Sequence, residues 1–447
     1  MTEVITRFAP SPTGVLHIGS VRTALYSWLY ARQNNGKFIL RIEDTDKERS
    51  KKEFEDNILD GLNWLGLNHD EFYRQSDRSP IYKKHLIDLI AKGAVYLSKE
   101  EPKEPGERAE VLRFKNPNRV VTFHDEARGD ISFDTTELGD FVIAKDFESP
   151  LYHFAVVVDD FEMGVTHIIR GDDAISNTPR QILIQEALGA PRPIYAHLPM
   201  ILAPDKSKLS KRHGALAVTE YREEGYLPEA IINFVALMGW NPGNDQEIVS
   251  IAEMIKLFSL PKIQKSGAVF NIDKLKWLNK FYIKTLTQEK LANEILLRLT
   301  ETLKEYAKNN PMIFSKMIPI IVEHISFFEE VSTLAESGEY DYFFVDPMYE
   351  REGALWKDEK DPIIASQKLK KVLFLLNDID DAFFTPETIK TAVWNYATEV
   401  GRGSVLWPMR FALSGREKSP DPFTLASILG KEATIRRIEY AMKLLLS

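Results

Sequence analysis

Cysteine is absent from the 447-residue chain, and its absence excludes disulfides, cysteine-bound zinc, iron–sulfur ligation and thiol nucleophiles. The nine histidines are scattered, with no two a helical turn apart, so the zinc-protease pattern is missing too. No apolar run approaches the roughly 18–20 residues of a membrane span. Mean hydropathy is −0.25, and the first residues lack the basic region and apolar stretch of a signal peptide. The expectation is a soluble, cytoplasmic chain with no membrane partner. Gly-x4-Gly-Lys-Ser/Thr and Gly-x-Gly-x-x-Gly are also missing, which sets aside P-loop ATPases and ordinary dinucleotide dehydrogenases. An excess of positive charge is lacking as well. Fifty-seven Lys and Arg against 66 Asp and Glu give a net charge of −9, so a nucleic-acid partner needs a local basic patch.

What is present begins with an alternation of elements. Glu3–Ala9 reads as a strand, stopped by Pro10-Ser-Pro-Thr-Gly14 because two prolines and a glycine cannot extend a ladder. Apolar positions 21, 24, 25, 28 and 29 form one helical stripe that ends at Asn34-Asn-Gly36, and Lys37–Ile42 is the next strand. Strand, loop, helix, strand is the opening of an open α/β nucleotide-binding sheet. Ligands of such sheets sit beyond the carboxyl ends of the strands, which directs attention to 9–19 and to Glu43-Asp-Thr-Asp46. Strand-like segments follow at 119–123, 131–133 and 141–145, and Tyr152–Asp160 and His167–Arg170 read as buried strands. A helix is expected over 178–188. From Pro228 onward the periodicity is helical, over 252–258, 273–279, 288–306, 315–329, 366–376, 386–400 and 431–446.

Two short motifs carry chemistry. Leu16-His-Ile-Gly-Ser20 precedes a helix whose first N–H groups and dipole favour an anion, and Gly19 leaves room for a base or ribose on the backbone. Alone, this is most simply a turn with a core histidine. Lys208-Leu-Ser-Lys-Arg212 sets three cations in five residues, able to follow a triphosphate into its transition state. Alone, it is most simply a solvated loop. Together on one α/β frame they form a phosphate-handling pair.

That pair resembles the two signature motifs of class I aminoacyl-tRNA synthetases. Phe8-Ala-Pro-Ser-Pro-Thr-Gly14, Arg41-Ile-Glu-Asp-Thr-Asp46, Val158-Asp-Asp160 with Met163-Gly-Val-Thr166, and Lys208–Arg212 are similar, in order, to segments of bacterial glutamyl-tRNA synthetases. The resemblance implies a Rossmann-like catalytic domain split into 1–96 and 176–245, the second half holding the Lys208–Arg212 loop. It further implies a mostly β, acceptor-end-binding insertion over 97–175, a helical stem-contact domain over 246–310 and a helical anticodon-binding domain over 311–447. The fold class is then α/β followed by an all-α C-terminal half.

The implied reaction joins L-glutamate to the 3′ end of tRNA(Glu) through glutamyl-adenylate, with ATP and Mg2+ as substrate; tRNA(Gln) stays open as a second acceptor. Arg7, Ala9, Ser11, Glu43, Tyr152, Val156 and Arg170 would bind glutamate, with Arg7 on the side-chain carboxylate and Glu43 on the ammonium. His17, Gly19, Asp173, Lys208, Leu209, Ser210, Lys211 and Arg212 would hold ATP, and His17, Lys208 and Lys211 would act on the phosphate. Ser20 and Arg212 stand where the general class I motifs have histidine and serine. Some relatives carry a cysteine-bearing zinc site in the insertion; this chain has no ligands for one, so no zinc is expected. Residues 402–447 hold eight Lys and Arg against four Asp and Glu, which makes Arg402, Arg410 and Arg436 candidates for tRNA contact. The chain is expected to be a monomer. A shortened glutamyl-queuosine enzyme would lack residues 280–447, and a glutaminyl enzyme would end in β-barrels. A catalytically silent paralogue would not need His17, Glu43 and Lys211.

Overall fold

The computed structural model describes residues 3–100, 110–207, 209 and 216–447, and the chain divides into two compact units, Met1–Tyr282 and Ile283–Ser447. The strands of the first unit are β1 Ile5–Phe8, β2 Lys37–Ile42, β3 Glu71–Arg74, β4 Val95–Lys99, β5 Glu110–Phe114, β6 Val120–Asp125, β7 Gly129–Asp134, β8 Phe141–Asp146, β9 Ser149–Pro150, β10 His167–Gly171, β11 Ile194–Leu198, β12 Ile201–Leu202 and β13 Ala268–Val269. Its helices are α1 Ile18–Gln33, α2 Lys52–Trp64, α3 Ser79–Ala91, α4 Tyr152–Glu162, α5 Thr178–Leu188, α6 Val218–Glu223, α7 Pro228–Leu237, α8 Ile251–Leu257 and all but the last turn of α9 Ile272–Thr285.

Seven strands form one sheet in the order β3-β2-β1-β10-β11-β6-β7. All neighbours are parallel except the β6–β7 hairpin. A parallel sheet buried on both faces needs near-continuous apolar strands, and β2 supplies Phe38, Ile39, Leu40 and Ile42, all fully buried. Helices α3, α4 and α5 cover one face with a core that includes Tyr82, Leu86, Phe154, Val157, Val158, Ile182 and Ile184. Helix α1 lies along β1 and is tied to α7, where Tyr26 Oη donates to Ala236 O at 2.9 Å. From β1 the order runs outward through β2 and β3, and from β10 through β11 and β6, so the winding reverses between β1 and β10. The crevice at the carboxyl ends of those two strands is the expected ligand position.

The α/β expectation holds, with one correction that matters. Tyr152–Glu162 is a helix, α4, and not a strand. Its valines and aromatics favour a strand by propensity, but a short apolar run cannot be assigned by periodicity when every side is buried. As a helix it sets Tyr152, Val156 and Asp160 at four-residue spacing on one face. The expected insertion over 97–175 is interleaved with the large sheet. β4, β5, β8 and β9 form a separate antiparallel sheet, whereas β6, β7 and β10 belong to the large one.

The second unit is helical: α10 Gln288–Arg298, α11 Glu301–Asn309, α12 Pro311–His324, α13 Glu329–Glu336, α14 Pro362–Asn377, α15 Pro386–Val400, α16 Arg402–Ser414, α17 Pro422–Leu429 and α18 Lys431–Leu446. The single helix expected over 288–306 is broken between α10 and α11, because Leu299 is extended and Thr300 caps a new start by accepting from Leu303 N. Helices α13, α16 and α17 escaped the periodicity reading. In α16 the cause is Pro408 inside the helix, a residue that normally ends one.

Candidate active site

The site begins with a charge in the wrong solvent. Arg7 sits on the interior strand β1, only 4 % exposed, and a buried cation must be paired. Asp160 on α4 supplies the partner, 3.2 Å from Arg7 Nε. The same carboxylate accepts from Arg41 Nη1 at 2.7 Å, and Arg41 Nη2 reaches Glu43 at 3.1 Å. Glu43 follows the last residue of β2, and its backbone N–H donates to Pro10 O at 3.0 Å. That bond holds the loops after β1 and β2 together. Arg170, the penultimate residue of β10, is the matching cation on the other side of the switch point and is 7 % exposed.

Arg41, Asp159 and Asp160, to which the sequence reading assigns no role, form the buried charge network behind Arg7 and Glu43. Arg41 is fully buried. Burial alone would lower its pKa, but Asp160, Glu43 and Asp159 raise it instead. Adjacent residues of a helix point about 100° apart, so Asp159, although 3.7 Å from Arg41 Nε, takes its hydrogen bonds from a different set than Asp160. It accepts from Arg78 Nε at 2.6 Å, Tyr82 Oη at 2.9 Å and Gln75 Nε2 at 2.9 Å. The available signal was two adjacent aspartates inside an apolar run, since buried charges imply buried partners. Removing one partner of such a network leaves the others buried and unpaired. Asp159→Ala is therefore expected to destabilise the first unit by about 3–5 kcal/mol, read as a lower urea midpoint. An unchanged midpoint would show that the network bears no load.

Charge at the crevice is incomplete in two complementary ways. Glu43 meets Arg41 through Oε1, and burial raises its pKa despite Arg41 and Arg7, so a further cation beside it would favour the charged carboxylate. Burial also lowers the pKa of Arg170, and the nearby Arg7 lowers it further. Among the described residues no carboxylate lies within ion-pair distance of Arg170, and its buried Nη1 makes no hydrogen bond. The crevice thus offers an acceptor for an ammonium and donors for a carboxylate. Tyr152 and Val156 stand on the α4 face that also carries Asp160. Ala9, partly buried, and Ser11, exposed, lie on the loop after β1. Sequence reading named all seven of these residues, and the fold gathers them about the ends of β1, β2, β10 and the start of α4.

The phosphate motif sits at the next turn of chain. His17 is the N-cap of α1, with Nδ1 accepting from Ser20 N at 3.3 Å and Nε2 lying 3.1 Å from Ser20 Oγ. A Cβ on Gly19 would meet the His17 ring at 3.1 Å, so the glycine makes space for the histidine. His17 also bridges Ala217 in antiparallel fashion, and Val218 N donates to Leu16 O at 3.0 Å. The chain that emerges from the lysine-rich segment therefore packs directly on the histidine motif. Asn57 of α2 joins the two sides, accepting from Leu16 N at 2.9 Å and donating to Thr219 Oγ1 at 3.3 Å. Lys208, Ser210, Lys211 and Arg212 lie outside the described residues, and Leu209 is partly buried. Asp173 is exposed on the 3-10 turn Asp172–Asn177 that follows β10.

In the second unit the candidate arginines have separate partners. Arg402 lies over Trp394 at 4.5 Å and Arg410 over Trp407 at 4.8 Å. Arg436 makes a two-pronged pair with Asp346 at 2.8 and 2.9 Å. Its neighbour Arg437 is buried, donating to Asp346, Tyr342 O, Leu413 O and Val345 O, and is a strut of the unit.

Comparison with known proteins agrees with this geometry. The family model described as tRNA synthetases class I (E and Q), catalytic domain, matches residues 3–110 and 99–277, and an anticodon binding domain model matches 298–442. A glutamate–tRNA ligase of Francisella tularensis is 43 % identical, with 98 % of this chain and 99 % of the relative covered. The chain belongs to the glutamate–tRNA ligase family. A second relative, glutamate–tRNA ligase 1 of Caldanaerobacter subterraneus, is 40 % identical over 99 % of this chain and 98 % of its own length. Among solved structures, a glutamate–tRNA ligase from Elizabethkingia meningosepticum in complex with its amino acid superposes with a TM-score of 0.86. It is 34 % identical and covers 99 % of this chain and 100 % of that one.

Proposed function

We infer that this chain activates L-glutamate with ATP and transfers it to the 3′ end of tRNA(Glu). The observation that carries the reading is the incomplete charge of the crevice. Arg7 and Arg170 flank a position that accepts a carboxylate, while Glu43 accepts an ammonium, and an amino acid with a charged side chain supplies both. The glutamate α-carboxylate then attacks the α-phosphate of ATP, which expels pyrophosphate and leaves glutamyl-adenylate. A terminal ribose hydroxyl of tRNA attacks the acyl carbon and expels AMP. Neither step needs a covalent enzyme intermediate, so positioning and electrostatics carry the catalysis. His17, at a helix N-terminus, and the Lys208–Lys211 pair are assigned to the triphosphate, with Gly19, Asp173, Leu209, Ser210 and Arg212 beside the nucleotide.

Magnesium arrives on ATP and keeps most of its ligands from phosphate and water. Among the described residues no group of three or more His, Asp or Glu is placed to hold a resident ion. We assign the insertion over 97–175 to the acceptor end, 246–310 to the stem and 311–447 to the anticodon, with Arg402 and Arg410 as the arginines whose aromatic stacking leaves them suited to unpaired bases. Arg436, already paired, is the weaker candidate. A monomer working in the cytoplasm suits this reading. Charging of purified tRNA(Glu) and tRNA(Gln) is the test. Glutamate transfer to tRNA(Glu) supports the assignment, no transfer to it refutes it, and transfer to both marks a broader acceptor range. The purified, chelator-treated enzyme is expected to stay active without stoichiometric zinc, because the chain has no cysteine to bind it. One zinc per chain by elemental analysis, with activity lost on its removal, would contradict this.

A further inference from the structure

Arg170 is held in an unusual manner for a buried guanidinium. Its Nε lies 3.1 Å from His197 Nε2, and its Nη2 donates to Thr178 Oγ1 at 2.9 Å. Neither partner carries a negative charge. Arginine only donates, so His197 Nε2 must present its lone pair, and the ring proton must sit on Nδ1. Nδ1 is 2.6 Å from Asp125 Oδ2, which accepts that proton. Asp125 also accepts the backbone N–H groups of His197 at 3.0 Å, Ala127 at 3.0 Å and Arg128 at 2.9 Å. Those bonds fix the carboxylate and, with the His197 contact, keep its pKa low despite burial. Asp125 and His197 are fully buried.

The three residues come from adjacent strands: Asp125 ends β6, His197 lies on β11 and Arg170 on β10, where Arg170 and His197 are register partners. A carboxylate in the place of His197 would neutralise Arg170 and compete with a bound anion. A neutral imidazole orients the same nitrogen and leaves the charge available. We propose that His197, fixed in its Nδ1–H tautomer by Asp125, is the positioning residue that presents the uncompensated Arg170 guanidinium to the substrate carboxylate. The proposal rests on the glutamate reading above. It concerns binding of one substrate only, so a defect in it separates the glutamate KM from the ATP KM.

The test compares two variants in steady-state aminoacylation of tRNA(Glu). His197→Asn keeps a donor near Asp125 but is too short to reach Arg170, whereas His197→Gln carries an acceptor out to the Nε2 position. Three backbone donors still serve Asp125 in both. His197→Asn is expected to raise the glutamate KM by about 10- to 100-fold, the range for a hydrogen bond to a charged group, with the ATP KM unchanged. His197→Gln is expected to stay within about threefold of the parent glutamate KM. A parent-like glutamate KM in His197→Asn overturns the proposal. So does a loss shared by glutamate and ATP that His197→Gln fails to rescue, because that is a purely structural role. Arg170→Leu separates the two levels. If it leaves the glutamate KM untouched, the assignment of Arg170 to glutamate fails; if it raises KM while His197→Asn does not, only the positioning role fails.

Discussion

Arg7→Leu is expected to lower kcat/KM for glutamate by about 10²–10³-fold, the consequence of losing a buried charge pair worth a few kcal/mol, while glutamine use changes little. A carboxylate and an amide have nearly the same shape, so size cannot separate glutamate from glutamine. Hydrogen-bond direction can. A guanidinium only donates, and the amide NH₂ donates as well, so a bound glutamine would set donor against donor beside a desolvated cation. The variant removes that conflict together with the attraction, and the preference for glutamate narrows. The fold should survive, because Asp160 keeps Arg41 at 2.7 Å when Arg7 is lost. Arg170 shares the task, which leaves some preference in place. Arg7→Lys is expected to be a partial rescue, since a point charge cannot reproduce the planar fork. If Arg7→Leu retains the parent's full glutamate preference in steady-state kinetics, Arg7 is not the specificity residue and the crevice at β1 is wrongly assigned.

Lys211→Ala is the second large effect. Negative charge develops on the α-phosphate as the carboxylate attacks, and a mobile ammonium that follows it stabilises the transition state more than the ground state. The rate of adenylate formation is expected to fall by about 10²–10³-fold, the size seen when one donor to a developing oxyanion is lost, with the glutamate KM almost unmoved. The physical setting supports the role. The segment that leaves the lysine-rich stretch bridges His17 through Ala217, and Asn57 ties both to α2. Single-turnover measurement of pyrophosphate release with saturating substrates reads the step directly. A rate equal to the parent's would remove Lys211 from the catalytic set.

Much of this site was legible without coordinates, and the limits have physical causes. Reading the strands directed attention to 9–19 and to Glu43–Asp46, beyond the carboxyl ends of β1 and β2, because an α/β sheet places ligands there; Arg7 and Arg170 were named through the family resemblance instead. Helix α4 was not legible, because Ala155-Val-Val-Val158 favours a strand and only tertiary packing made it helical. That misreading concealed the face carrying Tyr152, Val156 and Asp160. The Arg41–Asp160–Arg7 network and the Asp125–His197–Arg170 line were invisible for a second reason. Each joins residues far apart in sequence, 119 positions between Arg41 and Asp160 and 72 between Asp125 and His197, and no local pattern records such pairings. In the second unit, amphipathic helices such as α15 were legible. Arg436 and Arg437 were not told apart, because a local excess of basic residues cannot distinguish a paired strut from a free cation.

The central claim is that two buried guanidinium groups, Arg7 and Arg170, select a charged side-chain carboxylate. The most direct measurement is kcat/KM for L-glutamate and L-glutamine with the unaltered enzyme, tRNA(Glu) and ATP in one aminoacylation assay. The account predicts a preference for glutamate of about 10⁴ or more, the scale on which sites built for a polar partner reject one that leaves buried groups unpaired. Comparable values for the two amino acids would contradict it.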